Sequence, residues 1–383
     1  MFNVAVVTTN RAEYGLFYWL LDAFSNSPDF NLQLVVSGSH LSSQSGMTIR
    51  EIESSPWPIS YQFDYLDDGA CSMGDQVARI GSAFQSFLDQ ASLDLLILLG
   101  DRYELLSFAN VAVLNGVKLA HISGGEVTEG AIDEKIRHAL TKLSDIHFVG
   151  TKEFKKRVIQ LGEQPGRVHV VGELGLEHLH HRVPCSLFEE SQCSWLDQTK
   201  PFILFTYHPE TLGDTVDPLH QQSIVLEAME SFLDEFNLLI TYPNCDRAFT
   251  QLIQQLNQFA TKYKDSVLVE ASLGFKRYGQ ALSDALMVVG NSSSGLYEAP
   301  SYHAVTVNIG DRQKGRLRGN TVIDTPCQKE AIINAIQSAK HLANELTEWH
   351  NPYGDGHSSE KILNVLRHEI PSLSTVKPFF DLF

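Results

Sequence analysis

Three acidic residues lie far apart in this chain but have similar surroundings. Asp101 follows the apolar run Leu95-Leu96-Ile97-Leu98-Leu99 and Gly100. Glu126 follows the apolar stretch 117–122 and Ser123-Gly124-Gly125, and Asp133 comes seven residues later. An apolar run without period-2 alternation is the mark of a strand buried on both faces, the kind found in parallel sheets. In an open parallel sheet the carboxyl ends of neighbouring strands face one crevice, so the spacing predicts that the three carboxylates converge. Carboxylates gathered in one place can split their pKa values and hold an acid beside a base. Asp101 and Asp133 are also of the type that caps helices, and that reading stands beside the first. Glycines directly before Asp101 and Glu126 favour close approach of backbone or substrate.

A second set of groups suits an anion. Gly290-Asn291-Ser292-Ser293-Ser294-Gly295 follows an apolar strand and opens a helix, placing hydroxyls and backbone N–H groups where a phosphate or pyrophosphate would be cradled. The same serines are ordinary helix caps. Glu298, one turn on, fits a ribose or sugar hydroxyl better than a phosphate, or complements the helix dipole. Arg312, Lys314, Arg316 and Arg318 put four cations into seven positions of an acidic protein, beside that cradle. His208, in His208-Pro209-Glu210, and Asn244, in Pro243-Asn244-Cys245-Asp246, end two earlier strands. Arg11, at the end of the first strand, fits either a phosphate or carboxylate contact or a surface ion pair. Carboxylates beside an anion pocket fit a nucleotide-sugar enzyme from which a nucleoside diphosphate departs.

The elements that must hold these groups follow from periodicity. The chain opens with a strand at 2–9 and a helix to about residue 24, without GxGxxG. A strand spans 32–37, and 41–68 is a Ser-, Pro- and Gly-rich segment with a helical piece at 48–53. A helix at 75–90 leads to the central strand 95–99. Residues 105–114 are apolar on most sides and read as a buried helix. Strands at 117–122, 146–149 and 168–171 enclose helices at 133–143 and 152–161. Asp133 and Arg137, four apart on the first of these helices, form an intrahelical ion pair unless that face points into the crevice. The pattern loosens over 173–199, which reads as a link between domains. A second series follows, with strands at 202–206, 238–242, 267–270, 286–289 and 305–309 and helices at 221–236, 249–263, 276–285 and from 294. A helix at 329–346, a break at 351–356 and a last helix from 358 end the chain.

The fold class predicted is therefore α/β, with two doubly wound, Rossmann-like domains at 1–180 and 181–357, the first completed by the C-terminal helix 358–383 crossing back. Two domains also suit 383 residues of ordinary composition, 43% apolar and 20% charged. A formal charge of −17 argues against nucleic acid and acidic membranes as partners. The five cysteines lack metal-ligand spacing and read as reduced thiols. No leader-like start and no apolar run near 18 residues is present, so a soluble, cytoplasmic protein is expected. No metal site is read, and Arg side chains and helix N-termini take over the assistance to a leaving diphosphate.

Several segments together carry a resemblance. Thr8-Thr9-Asn10-Arg11-Ala12-Glu13-Tyr14, Gly100-Asp101-Arg102-Tyr103-Glu104, His121-Ile122-Ser123-Gly124-Gly125-Glu126, Asp133 with Ile136-Arg137-His138, Tyr207-His208-Pro209-Glu210, the 290–295 loop and Asn308-Ile309-Gly310-Asp311-Arg312-Gln313-Lys314-Gly315-Arg316 span the whole chain. In order and spacing they resemble the hydrolysing UDP-N-acetylglucosamine 2-epimerases of bacterial sialic-acid synthesis. The resemblance implies a glycosyltransferase-B-like fold with the active site in the interdomain cleft. It implies conversion of UDP-GlcNAc and water to N-acetylmannosamine and UDP, by anti elimination to 2-acetamidoglucal and syn hydration, without nicotinamide or metal cofactor. It implies Asp101, Glu126 and Asp133 as acid/base carboxylates and His208 near the diphosphate. UDP would be held by Arg11, Asn244, Ser292, Ser293, Ser294, Gly295, Glu298 and Arg312, with serines on phosphate and Glu298 on ribose. A homodimer or homotetramer is the family's usual assembly. The Gln-Arg-Arg-Glu-type loop of the non-hydrolysing relatives is absent. Tyr297 stands where many relatives have arginine, leaving countercharge to Arg312, Lys314 or Arg316.

Three other functions stand against this one. The same reaction on UDP-2,4-diacetamido-2,4,6-trideoxyglucose, toward legionaminic acid, differs only at C4 and C6 of the sugar. A glycosyltransferase of similar architecture would need an acceptor site. A non-catalytic nucleotide-sugar binder would have no use for three acids beside an anionic ligand, where they cost affinity.

Overall fold

The computed structural model of the chain describes every residue except 44–46, 67–71, 128–131, 182–183, 186, 188–198, 209–216, 244–248, 375 and 383. The chain divides into two units, Met1–Glu177 with Tyr353–Phe383, and His178–Pro352. In chain order the first unit runs β1 (Phe2–Thr8), α1 (Arg11–Ser25), β2 (Phe30–Ser37), α2 (Ile49–Glu53), β3 (Ile59–Phe63), α3 (Met73–Leu88), β4 (Leu95–Leu99), α4 (Glu104–Leu114), β5 (Lys118–Ile122), α5 (Ile132–Leu143), β6 (Ile146–Val149), α6 (Lys152–Gln160) and β7 (Val168–Val170). The second runs β8 (Phe202–Thr206), α7 (Pro218–Glu230), β9 (Asn237–Thr241), α8 (Phe249–Lys262), β10 (Val267–Glu270), α9 (Gly274–Asp284), β11 (Met287–Gly290), α10 (Ser294–Tyr297), β12 (Val305–Ile309), β13 (Val322–Thr325) and α11 (Lys329–Glu345). The chain then returns to the first unit with α12 (Ser358–Glu369).

Each unit is built on one parallel sheet. The first has the order β3-β2-β1-β4-β5-β6-β7 and the second β10-β9-β8-β11-β12-β13, with every pair parallel. In both, the order reverses beside the first strand, between β1 and β4 and between β8 and β11. These are the topological switch points, where open α/β sheets leave a crevice at the carboxyl ends.

The apolar runs are explained by burial on both faces. Along β4, Leu95, Ile97 and Leu99 enter one core with α1 and α12, while Leu96 and Leu98 enter the core beneath α3, α4 and α5. In the second unit Ile203 and Phe205 of β8 face one layer and Phe202 and Leu204 the other. Two strands that periodicity missed, β3 and β13, are edge strands with residues left partly exposed. A short run at a sheet edge buries too little to need a continuous apolar pattern. The 41–68 segment is thus not all loop.

Local chemistry starts and ends the helices. Asn10 caps α1 by accepting the Glu13 N–H at 3.0 Å, and the Glu13 carboxylate reaches back to the Thr9 N–H at 2.8 Å. The end of α5 is capped from the C-terminal tail. Lys377 Nζ donates to the carbonyls of Thr141 at 3.3 Å, Lys142 at 2.8 Å and Ser144, and pairs with Glu163 at 2.8 Å. Burial works to raise the Glu163 carboxyl, but hydrogen bonds from His147, Lys142 and Lys377 outweigh it and hold the pKa down at about 2. Among the described residues no helix is long and apolar enough to cross a membrane. Replacing Lys377 with Met strips those carbonyls of their ammonium, and an expected loss of about 1.5–3 kcal/mol is read as a lower urea midpoint than that of the wild type. An unchanged midpoint would show that the tail adds nothing to α5.

Candidate functional site

In the first unit the site is organised by one arginine. Asp101 stands just past Gly100 at the end of β4, and Glu126 four residues past β5, the neighbouring strand. Arg137 on α5 is only 2% exposed. Its Nη2 donates to the Asp101 carboxylate, and its Nη1 to Glu134 Oε2 at 2.6 Å and to the Glu126 main-chain carbonyl at 2.8 Å. Burial would lower the guanidinium pKa, but the Asp101, Glu126 and Glu134 carboxylates outweigh it and raise it. Asp133 is half-buried in the first turn of α5, next to Glu134. The carboxylates that Arg137 engages are Asp101 and Glu134, which corrects the anticipated Asp133–Arg137 pair. A long helical side chain points back toward the helix N-terminus, where the i−3 position and the strand end lie within its reach.

The loop carrying Glu126 is held in an uncommon conformation. Ser123 has φ +66° although it is not glycine, and Gly125 has φ +80°. A Cβ on Gly125 would lie 2.4 Å from the Phe154 carbonyl oxygen, so only glycine fits. Arg157 Nη1 donates to the Gly125 carbonyl at 3.1 Å. Across the switch point a second acid cluster appears. Arg102 pairs with the buried Glu104 at 2.6 Å, the Tyr65 hydroxyl donates to Glu104 at 3.0 Å, and burial raises the Glu13 carboxyl. Arg11 is elsewhere engaged: it is 68% exposed and pairs with Glu51 at 3.5 Å, the surface alternative of its two readings.

In the second unit Asn291 joins the two central strands. Its Oδ1 accepts the His208 N–H and its Nδ2 donates to the His208 carbonyl, both at 2.7 Å. The Asn291 carbonyl in turn accepts Arg312 Nη1 at 3.0 Å and Gln313 Nε2 at 2.7 Å. Gly290 must be glycine, because a Cβ there would lie 1.9 Å from the Thr206 carbonyl oxygen. His208 is buried, and burial together with the Arg312 charge lowers its imidazole to about 4. The helix after the serines is only Ser294–Tyr297. One turn carries little dipole, so countercharge for an anion must come from side chains. Ser293 makes no side-chain capping bond, while Ser292 Oγ accepts the Ser294 N–H at 3.4 Å. Burial raises the Glu298 carboxyl. Tyr278 of α9 belongs to the same group; burial and the nearby Glu298 raise its phenol.

The four cations of the 312–318 segment divide by task. Arg318 is taken up by Asp324 at 3.1 Å and the Gln313 carbonyl at 2.7 Å. Arg316 lies 5.3 Å over the Tyr297 ring, so tyrosine in place of arginine still brings a guanidinium to that position. Lys314 and Asp311 form an exposed pair at 4.0 Å, of little worth. Arg312 remains beside His208. Asn244, Pro209, Glu210, Cys245 and Asp246 lie outside the described residues. Among the described residues no group of three His, Cys, Asp or Glu is arranged to hold a metal ion.

Sequence reasoning did not single out Asn291, Glu134, Tyr278 or the clamp on His208. The signal available was position alone: Asn291 directly follows a strand-ending glycine. If Arg137 is the counter-ion of this cluster, Arg137→Met leaves acids facing one another, and unfolding stability is expected to fall by about 3 kcal/mol or more. Denaturant titration of the variant checks this, and a loss below about 1 kcal/mol would mark the contact as a surface-type pair.

Comparison with known proteins shows what the chain as a whole is similar to. A family profile described as UDP-N-acetylglucosamine 2-epimerase matches residues 22–367. The chain is 34% identical over 390 residues to the polysialic acid biosynthesis protein P7 of Escherichia coli, covering 100% of this chain and 98% of that protein. It is 33% identical over 325 residues to the GDP/UDP-N,N'-diacetylbacillosamine 2-epimerase (hydrolyzing) of Campylobacter jejuni, covering 84% of each. Its fold is similar to the crystal structure of UDP-GlcNAc 2-epimerase from Neisseria meningitidis bound to UDP-GlcNAc, with a TM-score of 0.76 at 16% identity over 95% of this chain and 99% of that one. With two doubly wound parallel units and a match across most of its length, the chain belongs to the UDP-N-acetylglucosamine 2-epimerase family.

Proposed function

We propose that the chain converts UDP-N-acetylglucosamine and water to N-acetylmannosamine and UDP, with one nucleotide sugar served by both units in the glycosyltransferase-B manner. The observation that carries this reading is the Arg137 cluster, which draws the Asp101 carboxylate and the Glu126 loop together at the carboxyl ends of β4 and β5. In the first half-reaction a carboxylate takes the C2 proton, the C1–O bond to the diphosphate breaks, and 2-acetamidoglucal remains. In the second, water oxygen adds to C1 and gives up a proton to a carboxylate, while a carboxylic acid returns a proton to C2 on the opposite face. Asp101, Glu126 and Asp133 share these transfers, and their titration belongs to the group.

The departing UDP is received by Ser292, Ser293, Arg312 and His208, with Glu298 on the ribose. Because the α10 dipole is small, Arg312 provides most of the fixed positive charge. His208, neutral in the free protein, donates one ring N–H to the diphosphate.

A second substrate is favoured by the similarity to the Campylobacter enzyme named for diacetylbacillosamine. The same chemistry would then act on UDP-2,4-diacetamido-2,4,6-trideoxyglucose. Comparing kcat/KM on the two nucleotide sugars decides between them, since a pocket built to bond a C6 hydroxyl rejects a methyl strongly.

Incubation with UDP-GlcNAc in heavy water is expected to release UDP and free N-acetylmannosamine carrying deuterium at C2. Asp101→Asn and Glu126→Gln should each lower kcat by about 10²–10⁴-fold while UDP still binds. A product still joined to UDP, sugar transferred to an added alcohol, or full turnover by both variants would overturn the assignment. A separate check concerns His208. An anion beside an imidazole favours the protonated form, so UDP should move its pKa upward from about 4, by about one unit or more in an NMR titration. A His208 resonance indifferent to UDP would remove it from the diphosphate site.

A further inference from the structure

His121 takes no part in the reaction as written above, yet it touches every segment that carries the acids. Its ring is fully buried. Nε2 lies 2.8 Å from the carbonyl oxygen of Gly100, the residue before Asp101. Nδ1 lies 3.2 Å from Oγ1 of Thr141 on α5, the helix that bears Asp133 and Arg137. Gly124, two residues before Glu126, packs against that contact, since a Cβ there would stand 3.2 Å from both His121 Nδ1 and Thr141 Oγ1. Gly100 is thereby tied to β5 at both polar atoms, because its N–H donates to the Ile122 carbonyl at 3.0 Å.

A carbonyl oxygen only accepts, so Nε2 carries the ring proton and Nδ1 accepts the Thr141 hydroxyl. We propose that His121, as the Nε2–H tautomer, is a positioning residue that sets the mutual geometry of Asp101, the Glu126 loop and α5 through Gly100, Gly124 and Thr141. This rests on the reaction given under Proposed function. The imidazole is not itself a proton carrier there: burial lowers its pKa to about 3, and the charges of Arg137 and Lys377 act in the same sense. Its value lies in geometry. The backbone bonds between β4 and β5 reach as far as the Gly100 N–H, and the His121 side chain takes up the Gly100 carbonyl, at the base of Asp101. A shift of about 1 Å between acids that must act on one carbon is enough to cost a large part of the rate.

Two measurements test this. In protein labelled with ¹⁵N-histidine, His121 should show an unprotonated Nδ1 and a protonated Nε2, assigned by its disappearance in His121→Gln. The opposite tautomer overturns the clamp whether or not the chain turns over a nucleotide sugar. In kinetics, Thr141→Val keeps the volume and removes the hydroxyl, and kcat is expected to fall about tenfold, against about 10²-fold for His121→Ala. His121→Gln retains an N–H within reach of Gly100 and should recover part of that loss. The KM for UDP-GlcNAc and the affinity for UDP should stay within about twofold of the wild type in all three, because only interactions of the reacting centre are disturbed. Wild-type kcat in Thr141→Val and His121→Ala, or a change confined to KM, overturns the proposal. A wild-type chain inert toward every UDP-2-acetamido sugar instead overturns the reaction itself, and with it the catalytic consequence drawn here.

Discussion

A guanidinium removed from water costs several kcal/mol unless anions and carbonyls surround it. Arg137 is in that situation, and the architecture of the acidic site follows from how it is satisfied. Its partners include Asp101 after β4, the Glu126 carbonyl in the loop after β5, and Glu134 on its own helix. None of these would hold the others alone. Acids that repel one another in water become neighbours because they form the counter-ion shell of one buried cation. The same cation makes the cluster brittle, since removing either side of a buried ion pair costs more than the pair contributes.

The second unit meets a similar demand without charge. Asn291 offers a donor and an acceptor on one rigid amide, and both are used on the main chain of His208. The clamp on His208 is itself neutral, and Arg312 meets it only at the Asn291 carbonyl. Where cations are needed for structure, other residues are used: Arg318 is tied to Asp324 and Arg316 lies over Tyr297. The Tyr297 ring attracts the Arg316 guanidinium, which a second arginine at that position would have repelled.

Both sites sit where the backbone is least ordinary. Ser123 in the left-handed region costs on the order of 1 kcal/mol, and it persists because its neighbours over-determine it. Its N–H donates to Phe148, and Arg157 and Arg137 hold the next two carbonyls that matter, those of Gly125 and Glu126. At Gly290 the reason is both spatial and conformational: φ is +138°, and β8 and β11 pass so close that no side chain fits between them. Rigid strand ends carrying short, tightly held loops are what proton transfer to a single carbon requires, because the tolerance on position is small.

Legible in the sequence were the doubly wound units, the strand ends that carry Asp101, Glu126, His208 and Asn291, and the gathering of acids in one group and of serines and cations in the other. These were legible because strands buried on both faces produce unbroken apolar runs, and loops at their carboxyl ends must be rich in glycine, serine and charge. The edge strands β3 and β13 were not legible, since partial burial leaves no such run. Nor was the shortness of α10, because a serine-rich start signals where a helix begins and says nothing of where it stops. That Arg137 reaches Asp101, 36 residues away, and that Arg11 turns to Glu51 follow from packing between elements. Helical spacing names the residues on one face, but the partner across a sheet exists only once strand order has been settled by packing that no local window contains.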